Sequence, residues 1–326
     1  MRAAVYDRFG PPDVVRIREV DKPAPGDDEL LVRVRATAVN AADWRLRSQD
    51  VPPGFRLLMR LLFGFRKPRR PILGTDLAGD VEAVGKGVTK FRVGDPVIAY
   101  TGLAMGAHAE YRCVSESGAV VLKPRTLGYA EAAALPFGAL TALDFLKRAK
   151  LQRGERVLVN GASGAVGSAA VQLARHFGTV VTGVCSTANV ELVRSLGADR
   201  VIDYTKQDFA RSGETWDVIV ETVGNAPYSR CRSSLTERGR LLLIAAGLPA
   251  MLSIPWVAMT TRRRIIAGPP ADKPEDLRFL VALAESGEYK PLIDRRYPLE
   301  QIVEAHRLVD SRRKRGSVVV TVATGD

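Results

Sequence analysis

The residues of this chain best suited to chemistry form a glycine-rich run, Asn160-Gly161-Ala162-Ser163-Gly164-Ala165-Val166-Gly167. Against the pattern G-x-G-x-x-G it carries Ala162 at the first glycine, with Gly161 just before it. The run follows the apolar stretch Arg156-Val157-Leu158-Val159-Asn160, which reads as a strand. After it, Val166, Ala170, Leu173, Ala174 and Phe177 recur at helical spacing until Gly178 closes the helix as a left-handed cap. In a strand, turn and helix of this kind, Gly164 lets the backbone approach a pyrophosphate resting on the helix amino terminus. Gly167 allows the helix to pack tightly on the strand. A glycine-rich turn without a ligand is the alternative, and the flanking elements argue against it.

The second strand addresses the cofactor's adenosine end. An NAD site places an acidic side chain roughly 20 residues beyond the first glycine to hold the ribose hydroxyls. This chain has Gly183-Val184-Cys185-Ser186-Thr187 there, with Asn189 close behind. Without a carboxylate to repel a 2′-phosphate, and with Ser186, Thr187 and Asn189 able to donate hydrogen bonds, NADP(H) is the expected cofactor. The same side chains could equally cap the helix that begins near Asn189. The two roles are compatible.

Residues 1–123 read as short strands broken by turns, for example Leu30-Leu31-Val32-Arg33-Val34 and Asp80-Val81-Glu82-Ala83-Val84 before Gly85. That is the pattern of a mostly antiparallel β domain. From residue 124 strands alternate with amphipathic helices, which implies parallel strands joined by crossovers. After a helix over Ala139–Lys150, the strand before the glycine loop, Val180–Val184, Val201-Ile202, Asp217–Val220 and Leu241–Ala245 make a five-stranded doubly wound sheet. From about Pro291 the β pattern returns, and Ser317–Val322 reads as a strand that rejoins the first domain.

A length of 326 residues with 46% apolar content suits two cooperating domains. No apolar run approaches the roughly 20 residues that span a bilayer, and MRAAVYDRFG runs straight into a strand pattern, so the expected location is the cytoplasm. Cys113, Cys185 and Cys231 lie far apart, without the spacing of a disulfide framework or zinc ribbon. The formal charge of +12 suits an anionic partner, whether cofactor phosphate, nucleic acid or an acidic membrane. Part of it, Arg312, Arg313, Lys314 and Arg315, follows an expected helix, where cations complement the helix dipole.

Several further motifs give the chain a family resemblance: Gly74-Thr75-Asp76-Leu77-Ala78-Gly79, Val93-Gly94-Asp95, Gly106-Ala107-His108-Ala109-Glu110-Tyr111, Ala134-Leu135-Pro136 and Thr141-Ala142. With the glycine loop, they resemble the zinc-free branch of the medium-chain dehydrogenase/reductase superfamily, that of quinone oxidoreductases and related enone reductases. The resemblance covers nearly the whole chain. It implies an α/β fold with a GroES-like catalytic domain over residues 1–123, completed by 291–326, and a Rossmann NADP-binding domain over 124–290. It also implies a cleft between them, with nicotinamide near Thr141, Val223-Gly224 and Ala246-Gly247, and pairing into homodimers through the cofactor sheet. Zinc-dependent relatives carry Gly-His-Glu where this chain has Gly74-Thr75-Asp76, and a cysteine where it has Asn40-Ala41-Ala42-Asp43, so no metal is expected. His108, His176 and His306 are read as structural or surface residues.

Without a metal, the resemblance implies hydride transfer to an acceptor already activated by conjugation, a quinone or enone. The protein then has to hold donor and acceptor together and hydrogen-bond the acceptor oxygen. Asn40 and Arg47 are the candidates for that bond, with Asp43 orienting Arg47 and Tyr100 as a proton donor or substrate contact. An ordinary cleft-lining or core role is the competing reading for each. The family's basic residue after the second strand is replaced by Ala188 and Asn189 here, leaving Arg175, Lys206 or Tyr204 to meet the phosphate.

Between Pro52 and Pro71 lie eight large apolar residues and Arg56, Arg60, Arg66, Lys67, Arg69 and Arg70, with no acidic residue. A short amphipathic helix that shapes the substrate pocket, peripheral contact with an anionic membrane, and plain packing are the three readings. For the whole chain, the alternatives to quinone or enone reduction are an enoyl-thioester reductase and a non-enzymatic nucleotide-binding protein whose basic surface meets nucleic acid or membrane. The lack of interleaved aromatic and basic residues argues against nucleic acid.

Overall fold

Apolar runs set the first strands, with four consecutive buried residues, Ala3 to Tyr6, in the opening one. In the computed structural model, which describes residues 1–322, β1 (Arg2–Tyr6) and β2 (Val15–Glu19) form a two-stranded antiparallel sheet. Next come β3 (Glu29–Val39), α1 (Ala41–Ser48), α2 (Arg56–Phe63) and β4 (Asp76–Val84). They are followed by β5 (Pro96–Tyr100), β6 (Tyr111–Ser115), β7 (Ala119–Leu122) and α3 (Tyr129–Ala134). The second half begins with α4 (Pro136–Ala149), β8 (Arg156–Asn160), α5 (Ala165–His176), β9 (Val180–Cys185), α6 (Val190–Ser195) and β10 (Arg200–Asp203). It continues through β11 (Trp216–Glu221), α7 (Tyr228–Cys231), β12 (Leu235–Leu243), α8 (Leu248–Thr260) and β13 (Arg264–Ala267). The chain closes with α9 (Pro274–Glu285), β14 (Ile293–Pro298), α10 (Ile302–Asp310) and β15 (Ser317–Thr321).

Two units emerge. The first, Met1–Val51, Arg56–Phe137 and Asp272 onwards, contains a seven-stranded sheet built on the path β14-β15-β3-β4-β5-β7, with β6 also pairing β3. All its pairings are antiparallel except β14 with β15. β3 organises it, because its length lets it pair with β15, β4 and β6 and bury Leu30, Val32, Val34 and Val39 on one core. Each such side chain, fully removed from water, contributes about 1.5–3 kcal/mol. Val318, Val320 and Val322 join that core, which is why the carboxy-terminal strand docks here.

The second unit, Pro52–Phe55 and Gly138–Ala271, holds a parallel sheet in the order β10-β9-β8-β11-β12-β13. This is the doubly wound arrangement, and the order of winding reverses between β8 and β11. Two expectations change in detail. The sheet has six strands rather than five, since Ile265 and Ile266 make β13 although the run Arg262-Arg263-Arg264 disguises it in the sequence. The units divide near residues 137 and 271 rather than 123 and 290, because α3 packs on β3 and β4, and α9 on β7. Residues 323–326 of the expected span lie outside the described residues. Among the described residues no helix is long and apolar enough to cross a membrane.

Candidate functional site

At the point where its winding reverses, the second unit leaves an open seat at the amino terminus of α5. After Asn160 the chain turns at Gly161, whose φ of 83° favours glycine, and Gly164 N–H donates to Gly161 O at 3.0 Å. The amides of Gly161 and Ala162 both donate to Val184 O, tying the loop to β9. Gly164 then takes an extended conformation before α5 begins at Ala165. A Cβ on Gly167 would lie 2.0 Å from Gly161 O, so only glycine lets the first turn of α5 sit this close to the loop. A Cβ on Gly164 would meet nothing nearer than that oxygen at 3.5 Å, so the approach to the first turn is open. The first-turn amides, with no helical carbonyl to pair with, and the positive end of the helix dipole favour an anion there.

Polar side chains flank this seat. Asn189 Nδ2 donates to Ser163 Oγ at 3.1 Å and to Ser186 Oγ at 3.3 Å, and its Oδ1 is buried without a hydrogen-bond partner. An orphaned buried acceptor beside two hydroxyls fits a ribose hydroxyl, so these residues suit a dinucleotide. Neither Ser186 nor Asn189 caps its following helix with its side chain. Thr187 Oγ1 donates to Asp203 Oδ2 at 2.6 Å. That places a carboxylate beside the second strand after all, supplied by β10, whose Asp203 pairs in register with Cys185. Hydrogen bonds from Thr187 and Thr205 hold Asp203 below the ordinary carboxylate range. Lys206 lies 3.9 Å from it and Tyr204 is exposed, whereas Arg175 donates to Gly197 O.

The loop after β11 differs from expectation. The amides of Val223 and Gly224 donate to Glu221 at 2.8–2.9 Å, and Asn160 Nδ2 reaches the same carboxylate at 3.1 Å. Those two amides are therefore committed to a buried side chain that the sequence reading missed, and any cofactor contact there falls to the exposed Val223 side chain or to carbonyls. Burial raises the Glu221 carboxyl, against the pull of these bonds. Gly247 packs on Pro53, whose carbonyl accepts from Leu248 N–H at 2.8 Å, and Ala246 packs on the sheet's core. Thr141 is buried on α4.

In the first unit a buried polar network gathers where β3 ends and β4 begins. Asn40 opens α1: its Oδ1 accepts from Ala42 N–H at 2.8 Å, while Asp43 Oδ2 accepts from Asn40 N–H at 2.8 Å. Asp43 Oδ1 also accepts from Gly74 N–H at 2.7 Å, which pins the helix start to the Gly74 turn. Asn40 Nδ2 donates to Thr75 Oγ1 and to Asp76 Oδ2, both at 2.7 Å. Thr75 Oγ1 donates to Asp76 Oδ2, and Phe137 N–H donates to Asp76 Oδ1, each at 2.7 Å. Burial pushes the Asp76 carboxyl up to about 7, although those bonds oppose it. Burial also raises Asp43 and, with help from the charge of Asp76, raises the half-buried Tyr100 well above the usual phenol range. Tyr100 pairs with Asp76 across the β4 and β5 ladder.

This geometry corrects three expectations. Both amide hydrogens of Asn40 are used inside the network, so it does not offer them to an acceptor. Arg47 is fully buried, with a bidentate bond to Asp310 at 2.6 and 2.7 Å and another to Gly10 O at 2.5 Å. It joins α1 to α10 instead of meeting a substrate oxygen, and Asp43 does not orient it. His108 and His306 are buried edge to face, 5.6 Å apart, and burial holds His306 well below its ordinary value. His176 is exposed on α5. Thr75 and Asp76, which in the sequence mark a family motif and stand where zinc-dependent relatives have metal ligands, are the residues that draw the network together. Besides the Asn40 amide and the Thr75 hydroxyl, the network offers the carboxylates of Asp43 and Asp76, both already accepting hydrogen bonds, a set short of the three imidazole, thiolate or carboxylate ligands of a zinc centre. Among the described residues no group of three or more His, Cys, Asp or Glu is placed to hold a metal ion.

Comparison with known proteins agrees with this architecture. Residues 26–125 match the family model described as alcohol dehydrogenase GroES-like domain, and residues 196–320 match that described as zinc-binding dehydrogenase. A chloroplastic quinone-oxidoreductase homolog of Spinacia oleracea is 33% identical, with 98% of each chain covered. The chloroplastic NADPH-dependent alkenal/one oxidoreductase of Arabidopsis thaliana is 29% identical over 98% of this chain and 79% of its own. The solved quinone oxidoreductase of Coxiella burnetii superposes with a TM-score of 0.89 at 28% identity, covering 99% of both chains. A parallel sheet with a dinucleotide loop, a GroES-like partner sheet and relatives matched end to end leave one assignment: the chain belongs to the medium-chain dehydrogenase/reductase superfamily, in its quinone oxidoreductase-like branch.

Proposed function

We propose that this protein is an NADPH-dependent, zinc-independent reductase of quinones or α,β-unsaturated carbonyls. The observation that carries the reading is the open first turn of α5, held against the Gly161 turn where the winding of the sheet reverses. The amides of Ala165, Val166 and Gly167 would hold the diphosphate, and Ser163, Ser186 and Asn189 would meet the adenosine ribose. When bound, the nicotinamide supplies hydride to the conjugated acceptor. Tyr100 holds its proton throughout the neutral range because burial disfavours the phenolate, so it serves as a hydrogen-bond donor to the acceptor oxygen. Asp76 has a carboxyl that changes protonation near neutrality and, with Thr75 and Asn40, holds the proton that neutralises the product. None of these roles requires a Lewis acid.

NADPH is preferred in this reading because the Ser186 hydroxyl is an uncharged donor beside the glycine loop and Lys206 is at hand. Asp203 beside Thr187 is the observation that favours NADH instead. Initial rates with each dinucleotide, across a panel of quinones, alkenals and enoyl thioesters, test the proposal. Turnover of a quinone or alkenal with NADPH, unaffected by a chelator, is the expected result. Tight dinucleotide binding with no turnover of any acceptor overturns it in favour of a binding protein, preference for thioesters points to an enoyl-thioester reductase, and zinc-dependent turnover removes the metal-free mechanism. The reading also pairs two subunits through the edge strand β13 and assigns the protein to the cytoplasm, consistent with three free cysteines. Sedimentation velocity tests the pairing.

A further inference from the structure

The segment after α1 has a surface that the proposed reduction does not use. α2 turns Met59 and Phe63 inward onto the first unit's core, and Arg60 Nε donates to Gln49 Oε1 at 3.1 Å. Its opposite face presents Leu57, Leu58, Leu61 and Leu62, and the next turn adds Phe65, each between 48% and 65% exposed. Single exposed apolar residues are ordinary, but five adjacent ones on one short element are not. The turn that follows is fastened, with Gly64 N–H donating to Arg60 O at 2.9 Å and Arg69 N–H to Phe63 O at 2.8 Å. Phe65 and the basic run therefore keep a fixed place beside the leucines. Arg56 lies at one end of the face, and Arg66, Lys67, Arg69 and Arg70 at the other. From Val51 to Thr75 the sequence has no acidic residue. Among the described residues Arg56, Arg66, Lys67 and Arg69 meet no carboxylate, so their charge is available to an outside partner.

We infer that α2 and the turn after it form a docking surface for an anionic lipid bilayer. A helix lying in the interface sinks its apolar face into the boundary of headgroups and acyl chains while flanking cations meet lipid phosphates. Leu57, Leu58, Leu61, Leu62 and Phe65 supply the first part and the five cations the second. A nucleic acid would use the cations and leave the leucines in water. A second copy of this chain, docked face to face, would bring the same cations against each other. The bilayer is the one partner whose chemistry uses both halves of the surface. This inference is independent of the proposed reduction.

Sedimentation of the full chain with vesicles of phosphatidylcholine, alone or mixed with phosphatidylserine, tests it. The protein is expected to pellet with the mixed vesicles at low ionic strength, to be released by salt, and to ignore the neutral ones. Replacing Leu58 and Leu61 together by Ser is expected to weaken binding at least about tenfold. Replacing Arg66, Lys67 and Arg69 by Ser is expected to weaken it about a hundredfold. All five side chains are exposed, so both variants should keep the parent's circular dichroism, and the charge variant stands even where the leucine variant fails to fold. Failure to pellet with acidic vesicles at low ionic strength overturns the inference, as does equal binding of neutral vesicles or undiminished binding by both variants. Loss of a dimer in the leucine variant with vesicle binding unchanged would assign the face to a second copy. Binding of single-stranded DNA without vesicle binding would assign it to nucleic acid.

Discussion

Replacing Asp76 by Asn probes the buried network through its proton balance. In the folded chain burial raises this carboxyl to about 7 from its ordinary 3.8. Between those values the folded state binds more protons than the unfolded state, so stability from this group is present at low pH and is lost as the pH rises towards 7. At about 1.36 kcal/mol per pKa unit, the loss between about pH 5 and about pH 9 comes to about 3 kcal/mol. The amide has no such titration. It keeps one oxygen for Phe137 N–H but turns a donor towards Asn40 Nδ2 and Thr75 Oγ1, which costs about 1–3 kcal/mol at every pH. The parent should therefore exceed D76N in stability by about 3 kcal/mol more at about pH 5 than at about pH 9. Urea unfolding followed by far-ultraviolet circular dichroism across that range measures the gap. A gap that stays constant with pH would refute the claim that Asp76 shares a proton with its surroundings near neutrality.

Other perturbations test separate parts of the structure. Gly167→Val forces a side chain into Gly161 O, so dinucleotide affinity measured by fluorescence titration should fall at least about tenfold, one hydrogen-bonded anion contact being worth about 1.5–3 kcal/mol. Arg47→Ala strands Asp310 and should lower unfolding free energy by about 3–5 kcal/mol, and a Michaelis constant changed without loss of stability would return Arg47 to the substrate site. Tyr100→Phe should lower kcat about tenfold and move KM little, as expected for a bond made mainly to the developing oxyanion. Asp203→Asn should shift the ratio of kcat/KM for NADPH over NADH upward several-fold; an unchanged ratio would remove Asp203 from cofactor selection.

The legible part of this protein was local. The strand before Gly161, the glycine spacing and the apolar stripe of α5 depend on side chains within one or two turns of one another, and such patterns survive in a linear sequence. A helix in the basic segment was one of three readings of its local pattern, and α2 is that helix. β13 was harder, because four residues, the first of them the last of three consecutive arginines, carry too little periodicity to read as a strand.

The site was only half legible. Asn40, Asp43 and Thr75-Asp76 could be found as motifs, yet which atoms they would satisfy was settled by strands that meet across 35 or 36 residues. Arg47 was read as a substrate contact because its partner, Asp310, stands 263 residues away. Asp203 escaped notice because sequence spacing pointed to the end of β9, while the carboxylate arrives from the neighbouring β10. A residue's type and its neighbours along the chain determine its propensity, packing face and available chemistry. Which charge it meets, and whether that meeting occurs in water or in a buried interior, depends on contacts between distant segments, and only the tertiary structure decides those.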